Sequence, residues 1–161
     1  MKFAAAFLLG VLVLSGCSNS PTLEAGTEYG LVGGVEIWPG YFVRTGNGNC
    51  KGMDGSNFDG SNFENKAPLV LVGPDDSEIS ATSFDTGFLT QTLVDESEVT
   101  NFPDEVCRFN FYFGFGIEEY PKVATFRLKF RDGSISSVSW PLSEVLKTGQ
   151  IEMSIGADYK D

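Results

Sequence analysis

A strictly alternating run near the middle of the chain constrains the fold more than any other feature. In residues 106–115, large apolar side chains take every second position. A side-chain period of two is typical of a β-strand that buries one face. The face expected to be buried holds Cys107, Phe109, Phe111, Phe113 and Phe115, and the opposite face holds Arg108, Asn110 and Tyr112. Four phenylalanines in a row need an apolar layer opposite them, which favours two packed sheets.

Other segments show strand patterns separated by turn residues. Residues 122–130 alternate, and Asp132-Gly133 then predicts a hairpin turn. The side chains of this strand that are expected to face inward are Ala124, Phe126, Leu128 and Phe130. The return strand, 135–140, is expected to place Val138 and Trp140 on one face. Further strands are predicted at 29–38, 41–44, 69–72, 78–84 and 151–155.

One segment near the C-terminus favours a helix. Pro141 suits a first helical turn, Leu142, Val145 and Leu146 share one face, and Thr148-Gly149 ends the pattern. The predicted fold is therefore all-β: an antiparallel β-sandwich of about seven strands, immunoglobulin-like or of related topology, with one short helix near the C-terminus. A small closed barrel is the alternative. The 161 residues are enough for one domain.

The N-terminus has the pattern of an export signal. Lys2 precedes an apolar run from Phe3 to Leu14, which is followed by small residues. The run is shorter than the roughly 20 apolar residues that cross a bilayer. A short uncleaved anchor helix is the alternative interpretation.

The end of this segment, Leu14-Ser15-Gly16-Cys17, resembles the lipobox of bacterial lipoproteins. The resemblance implies a diacylglycerol on the Cys17 thiol and cleavage before that residue. The implied organisation is a lipoprotein signal peptide at 1–16, a lipidated cysteine and polar tether at 17–27, and a β-sandwich domain at 28–161. The expected location is the outer face of the bacterial cell membrane, where each buried acyl CH₂ contributes about 0.8 kcal/mol to anchoring.

Two cysteines remain once Cys17 is assigned to lipid. An exported domain meets an oxidising compartment, and a single pair allows a single connectivity, so a Cys50–Cys107 disulfide is predicted. Free thiols in a catalytic or metal-binding role are the alternative. Neither cysteine lies in a Cys-x-x-Cys motif, and the chain has no histidine to activate a thiol.

The composition of the chain argues against several classes of function. The chain has 22 Asp and Glu against 11 Lys and Arg, which argues against nucleic-acid binding. Without histidine there is no serine–histidine or cysteine–histidine pair. No phosphate-binding or dinucleotide-binding motif is present either, so we expect no catalytic residues, no cofactor and no enzyme activity. A carboxylate-dependent hydrolase acting on cell-wall sugars is the alternative, since glycosidases need only two acids.

A five-residue duplication marks the candidate binding loop. Asp-Gly-Ser-Asn-Phe occurs at 54–58 and again at 59–63. Its oxygens suit calcium, but a phenylalanine stands where the EF-hand pattern needs an oxygen ligand. No metal site is therefore predicted, and a calcium-stabilised domain stays an alternative. Within the segment 47–65 the candidate contact residues are Asp54, Asn57, Phe58, Asp59, Asn62 and Phe63.

Several short motifs are similar to those of a family of actinobacterial secreted or membrane-attached proteins of unassigned function. They are Cys50-Lys51-Gly52, Cys107-Arg108-Phe109-Asn110-Phe111, Tyr120 before an alternating strand, Arg131-Asp132-Gly133 and Leu142 before the last turn. The resemblance implies a β-sandwich with one disulfide outside the cytoplasm, and it carries over no catalytic residue. The duplication at 54–63 departs from the family pattern.

The function expected from the sequence is that of a membrane-anchored, extracytoplasmic lipoprotein that acts as a non-enzymatic binding or interaction module. The expected partners are the membrane, through the lipid on Cys17, and a cell-envelope protein or glycan.

Overall fold

The computed structural model describes residues 27–55, 58–116 and 125–160. Cys17 and Asn57, two of the predicted site residues, lie outside these ranges, as does Ala124. The described residues form ten strands: β1 (Glu28–Ile37), β2 (Phe42–Gly46), β3 (Asn49–Gly52), β4 (Pro68–Val72), β5 (Glu78–Ser83), β6 (Phe88–Thr90), β7 (Val106–Gly116), β8 (Thr125–Lys129), β9 (Trp140–Pro141) and β10 (Gln150–Ile155). Helix α1 is Leu142–Thr148, and two single 3₁₀ turns occur at Gly60–Asn62 and Glu96–Glu98.

The strands form two sheets, which confirms the all-β sandwich. The larger sheet has the strand order β10-β1-β7-β6-β3-β2, and the smaller has the order β5-β4-β8-β9. Both alternating segments form strands, β7 and β8, with the predicted faces buried. The phenylalanines of β7 are buried, and Phe126 and Leu128 of β8 are buried in the other sheet. The shared core is therefore largely aromatic.

The sandwich is not antiparallel throughout, and this corrects the prediction. Strands β1 and β10 pair in parallel, with Val32 opposite Gln150 and Ile37 opposite Ile155. These are the first and last strands of the domain, so no tight turn has to join them. Helix α1 leads from β9 of the smaller sheet to β10, and Gly149, directly after the helix, has the positive φ of 67° that favours glycine. A side-chain pattern shows that a segment is a strand, but not the direction of its neighbour.

The predicted return strand at 135–140 is also corrected. Ile135 forms only an isolated bridge with Lys129, and regular pairing resumes at Trp140. Between them the hydroxyl of Ser136 accepts a hydrogen bond from the Leu128 amide at 3.1 Å and donates one to the Val138 carbonyl at 2.7 Å. A side chain that replaces ladder bonds in this way breaks the strand. Val138 is consequently 43% exposed, whereas Trp140 is buried.

The predicted disulfide is present. Cys50 in β3 is bonded to Cys107 in β7, with their Cα atoms 5.9 Å apart. In the large sheet the three-residue strand β6 lies between β3 and β7. The disulfide joins these two outer strands next to the start of β6. Both cysteines are buried in the aromatic core.

Candidate functional site

The two phenylalanines of the duplicated segment at 54–63 pack against the aromatic core. Phe63 is 2% exposed, and its ring lies 5.2 Å from Phe58, 5.7 Å from Phe84 and 5.3 Å from Phe130. Phe58 is half-buried, and its other ring neighbour is Tyr41. The two phenylalanines of the duplication thus extend the aromatic core.

Two aspartates of this loop accept hydrogen bonds from its own backbone, and a buried asparagine ties it to a neighbouring turn. Asp54 accepts a hydrogen bond from the Gly60 amide at 2.9 Å, and Asp59 accepts one from the Ser61 amide at 2.9 Å. Asn62 is buried, and its side-chain oxygen accepts the Asp132 amide at 3.1 Å. In the described part of the chain, no three His, Cys, Asp or Glu side chains lie together as metal ligands would. Of the predicted contact residues that are described, Asp54 and Asp59 are exposed, Phe58 is half-buried, and Asn62 and Phe63 are buried.

The two copies of the duplication give a matched pair of substitutions. A Cβ atom on Gly60 would lie 2.7 Å from backbone atoms of Gly52 and Met53, whereas one on Gly55 would have its nearest neighbour at 4.0 Å. We expect Gly60→Ala to lower the free energy of unfolding by about 1–3 kcal/mol, because backbone must move to make room. Urea unfolding of both variants tests this, and equal midpoints for Gly60→Ala and Gly55→Ala would contradict it.

A second loop, residues 91–105 between β6 and β7, is the stronger candidate site; we call it the β6–β7 loop. Its 15 residues contain one 3₁₀ turn and no strand. Connections of this length are uncommon in compact domains, and those that are ordered are usually functional. Contacts with β1 hold the start of this loop, and contacts with the C-terminal segment hold its middle.

A buried carboxylate holds the start of the β6–β7 loop. Glu36 alternates in β1 with the buried side chains of Val35 and Ile37, so it lies on the outer face of the large sheet. It accepts hydrogen bonds from the Thr92 hydroxyl at 2.6 Å and the Leu93 amide at 3.0 Å. Its side chain is only 3% exposed.

Arg108 neutralises this carboxylate. It stands opposite Glu36 in the β1–β7 pair, and their side chains are 3.1 Å apart. The guanidinium also contacts Glu152 of β10 at 2.8 Å and the Asn110 side chain at 2.9 Å. It lies against Gly34 so closely that a Cβ there would be 2.3 Å from Nη2. A glycine at 34 therefore lets one arginine connect three strands of the sheet.

The rest of the β6–β7 loop is fixed by the C-terminal segment. Val99 forms a β-bridge with Tyr159, and the Thr100 amide donates to the Asp158 carbonyl at 2.8 Å. Val99 also packs in a small buried cluster with Trp38 and Val106. The loop is thus anchored along its length before any ligand binds.

The acidic 3₁₀ turn of the loop is locally stabilised. Asp95 accepts hydrogen bonds from the hydroxyl of Ser97 at 2.6 Å and from its amide at 2.8 Å. The hydroxyl first, and the amide second, hold the pKa of the Asp95 carboxyl below its ordinary value. This carboxylate is therefore charged even in mildly acidic solution.

Two large apolar side chains of the loop face solvent despite this anchoring. Leu93 is 68% exposed and Phe102 is 45% exposed. Phe102 lines a groove of about 250 Å³ together with Gln91, Thr92, Pro103 and Asp104. Asp104 also borders a second groove of about 350 Å³, whose other walls are Pro39, Gly40, Phe42, Arg44 and Glu105. The two grooves therefore adjoin at Asp104.

The β6–β7 loop lies at the far end of β1 from the predicted tether. The chain enters the sandwich at Glu28, and β1 then runs to Ile37. Glu36, which binds the loop, is eight residues beyond Glu28, or about 26 Å along a strand. An anchor attached through the N-terminal segment would leave the loop on the opposite end of the domain.

Sequence reasoning missed this site, although one signal was present. Glu36 is a single carboxylate between Val35 and Ile37-Trp38, and a charged residue in such a run needs a partner. Its partner Arg108 was predicted to lie on the outer face of its strand. The pairing of the two depends on the register of β1 and β7, which the side-chain pattern does not contain.

No protein-family model matches the chain, and neither a curated protein nor a solved structure matches it. The resemblances to bacterial lipoproteins and to the actinobacterial family therefore stay predictions. No helix in the described part of the chain has the length and hydrophobicity needed to cross a membrane.

Proposed function

We propose that the protein is a lipid-anchored, extracytoplasmic lipoprotein that acts as a non-enzymatic binding module on the outer face of a bacterial cell membrane. The Leu14-Ser15-Gly16-Cys17 motif supports the anchor. The Cys50–Cys107 disulfide supports an oxidising compartment, because such bonds are rare in the cytosol. Neither feature depends on the other.

The observation that carries the binding function is the β6–β7 loop. A carboxylate buried in the sheet, a β-bridge and a small apolar cluster hold this loop, yet Leu93 and Phe102 remain exposed at its surface. Fixing a loop in advance lowers the entropic cost of binding. Binding residues are commonly found on loops that a rigid scaffold such as a β-sandwich holds in place.

A hydrolase mechanism is less well supported. Glu36 and Glu152 are the two acids that share Arg108, and Glu36 already accepts hydrogen bonds from three donors of its own chain. A general acid or base must exchange a proton with substrate through a free oxygen. Glu36 therefore serves to hold the loop, and Glu152 serves to hold Arg108.

The anchor is tested by comparing the full chain with its Cys17→Ala variant in a bacterium that processes lipoproteins. We expect the parent protein in the membrane fraction and in the detergent phase on phase separation. The variant should carry no acyl chains and should keep residues 1–16, as the mass of its N-terminal peptide shows, while the Cys50–Cys107 bond still forms. A parent protein that partitions into the aqueous phase, or that has the same uncleaved N-terminus as the variant, would overturn the proposal.

A further inference from the structure

We infer that the two adjoining grooves beside the β6–β7 loop bind a basic polypeptide segment that carries apolar side chains. This inference rests on the proposed function and names the partner class of the same site. The occupant would be an extended segment of another cell-envelope protein.

The apolar part of the surface is Phe102 with Pro103 in one groove and Phe42 in the other. Side chains on the same side of an extended chain repeat about every 6.6 Å. An extended segment crossing Asp104 can therefore place a basic side chain at that carboxylate and an apolar side chain on either side of it. Leu93, which follows Thr92 in the chain, is also exposed but lines neither groove.

The charge around the grooves selects the partner. The β6–β7 loop contains five carboxylates and no lysine or arginine. Arg44 pairs with Glu105 at 2.6 Å, and the Lys160 ammonium contacts the backbone carbonyl of Glu96. In the described part of the chain, no ion pair joins Asp104, Glu96 or Glu98 to a lysine or arginine. Asp104 lines both grooves and is their unpaired carboxylate, and its position between apolar side chains is complementary to lysine or arginine on an apolar segment.

The same charge disfavours anionic partners. With 22 acidic and 11 basic residues, the chain as a whole is repelled by phosphate polymers and by anionic lipid headgroups. The grooves also lie at the end of β1 opposite the predicted tether, away from the anchoring membrane. A protein partner displayed beyond the membrane surface fits both conditions.

The test uses the full chain, purified in detergent, and three synthetic probes. The first is the nine-residue peptide Val-Ser-Lys-Ser-Val-Ser-Lys-Ser-Val, which places valine and lysine on the same face of an extended chain; the second has glutamate in place of lysine, and the third has serine in place of valine. A neutral cell-wall oligosaccharide represents the other class of partner. Binding is measured by calorimetry at low and high salt.

We expect the lysine–valine peptide to bind at least tenfold more tightly than either of the other peptides, and to weaken as salt rises. Phe102→Ser should weaken its binding by roughly tenfold or more, because the complex loses the burial of an aromatic ring. The matched control is Val138→Ser, since Val138 is 43% exposed outside this loop. Asp104→Asn should also weaken binding, whereas Glu144→Gln, an exposed acid on α1, should not.

The inference is overturned if the lysine–valine peptide does not bind, if the glutamate peptide binds equally well, or if Phe102→Ser and Val138→Ser behave alike. Thermal unfolding of each variant shows whether a loss of binding reflects a loss of fold. Binding of the oligosaccharide alone, lost in Phe102→Ser, would leave the binding module standing with a different partner class. The detergent partition of the parent protein is independent of all these results, so failure of the anchor is seen separately.

Discussion

Replacing Glu36 with alanine is expected to lower the free energy of unfolding by about 3–5 kcal/mol, because it leaves a largely buried guanidinium without its main counter-charge. The Arg108 side chain is 12% exposed, and Glu36 is the buried partner 3.1 Å away. The substitution also removes the acceptor of the Thr92 hydroxyl and the Leu93 amide. We therefore expect the start of the β6–β7 loop to lose its position as well.

The matched control is Glu152→Ala, which removes the other carboxylate on the same arginine. Glu152 is 40% exposed, and ion pairs of this kind contribute about 0–1 kcal/mol. Urea unfolding gives the stability of both variants, and hydrogen exchange at the Leu93 amide reports on the loop. Similar, small losses for the two variants would show that Glu36 does not hold the loop as described.

Removing the disulfide is expected to have an effect of similar size. Cys50 and Cys107 are 57 residues apart, and a loop of that length is worth about 4 kcal/mol in the chain-entropy model. The double variant Cys50→Ala/Cys107→Ala should unfold at a much lower urea concentration than the parent protein. Alanine also leaves space in the aromatic core, where both cysteines are buried, which adds to the loss.

A reducing agent separates these two contributions. It should destabilise the parent protein and the Cys17→Ala variant, but leave the midpoint of the double variant unchanged. A parent protein whose unfolding midpoint does not move when the Cys50–Cys107 bond is shown to be reduced would contradict the prediction.

The parts of the fold that could be predicted are those set by local side-chain pattern. Period two in β7 and β8 identified which phenylalanines are buried, because alternation fixes the two faces of any strand. The disulfide followed from a single pair of cysteines. The αL glycine after α1 was also visible as Thr148-Gly149.

The parts that could not be predicted depend on distant residues. Strands β6 and β9 have three and two residues, too few for any period to be recognised. The parallel pairing of β10 with β1 depends on how strands distant in the sequence are arranged in the sheet, which no local side-chain pattern encodes. Glu36 binds Thr92 and Arg108, which are 56 and 72 residues away, so its role exists only once both contacts have formed.

The two candidate loops differ in how well the sequence reveals them. The duplication at 54–63 is easily recognised, because Asp, Asn and Phe each recur in it. Phe63 is nonetheless part of the core, because removing its ring from water lowers the free energy of the folded chain. The β6–β7 loop has no repeat, and its exposed Leu93 and Phe102 are recognisable only once their burial is known.

Mass spectrometry of the N-terminal peptide of the mature protein, isolated from bacterial membranes, tests the proposed anchor most directly. We predict a peptide that begins at Cys17 and carries a diacylglyceryl group on its sulfur. A mature protein that begins at Met1, or whose Cys17 carries no lipid, would contradict the assignment of this chain as a lipoprotein displayed outside the cell.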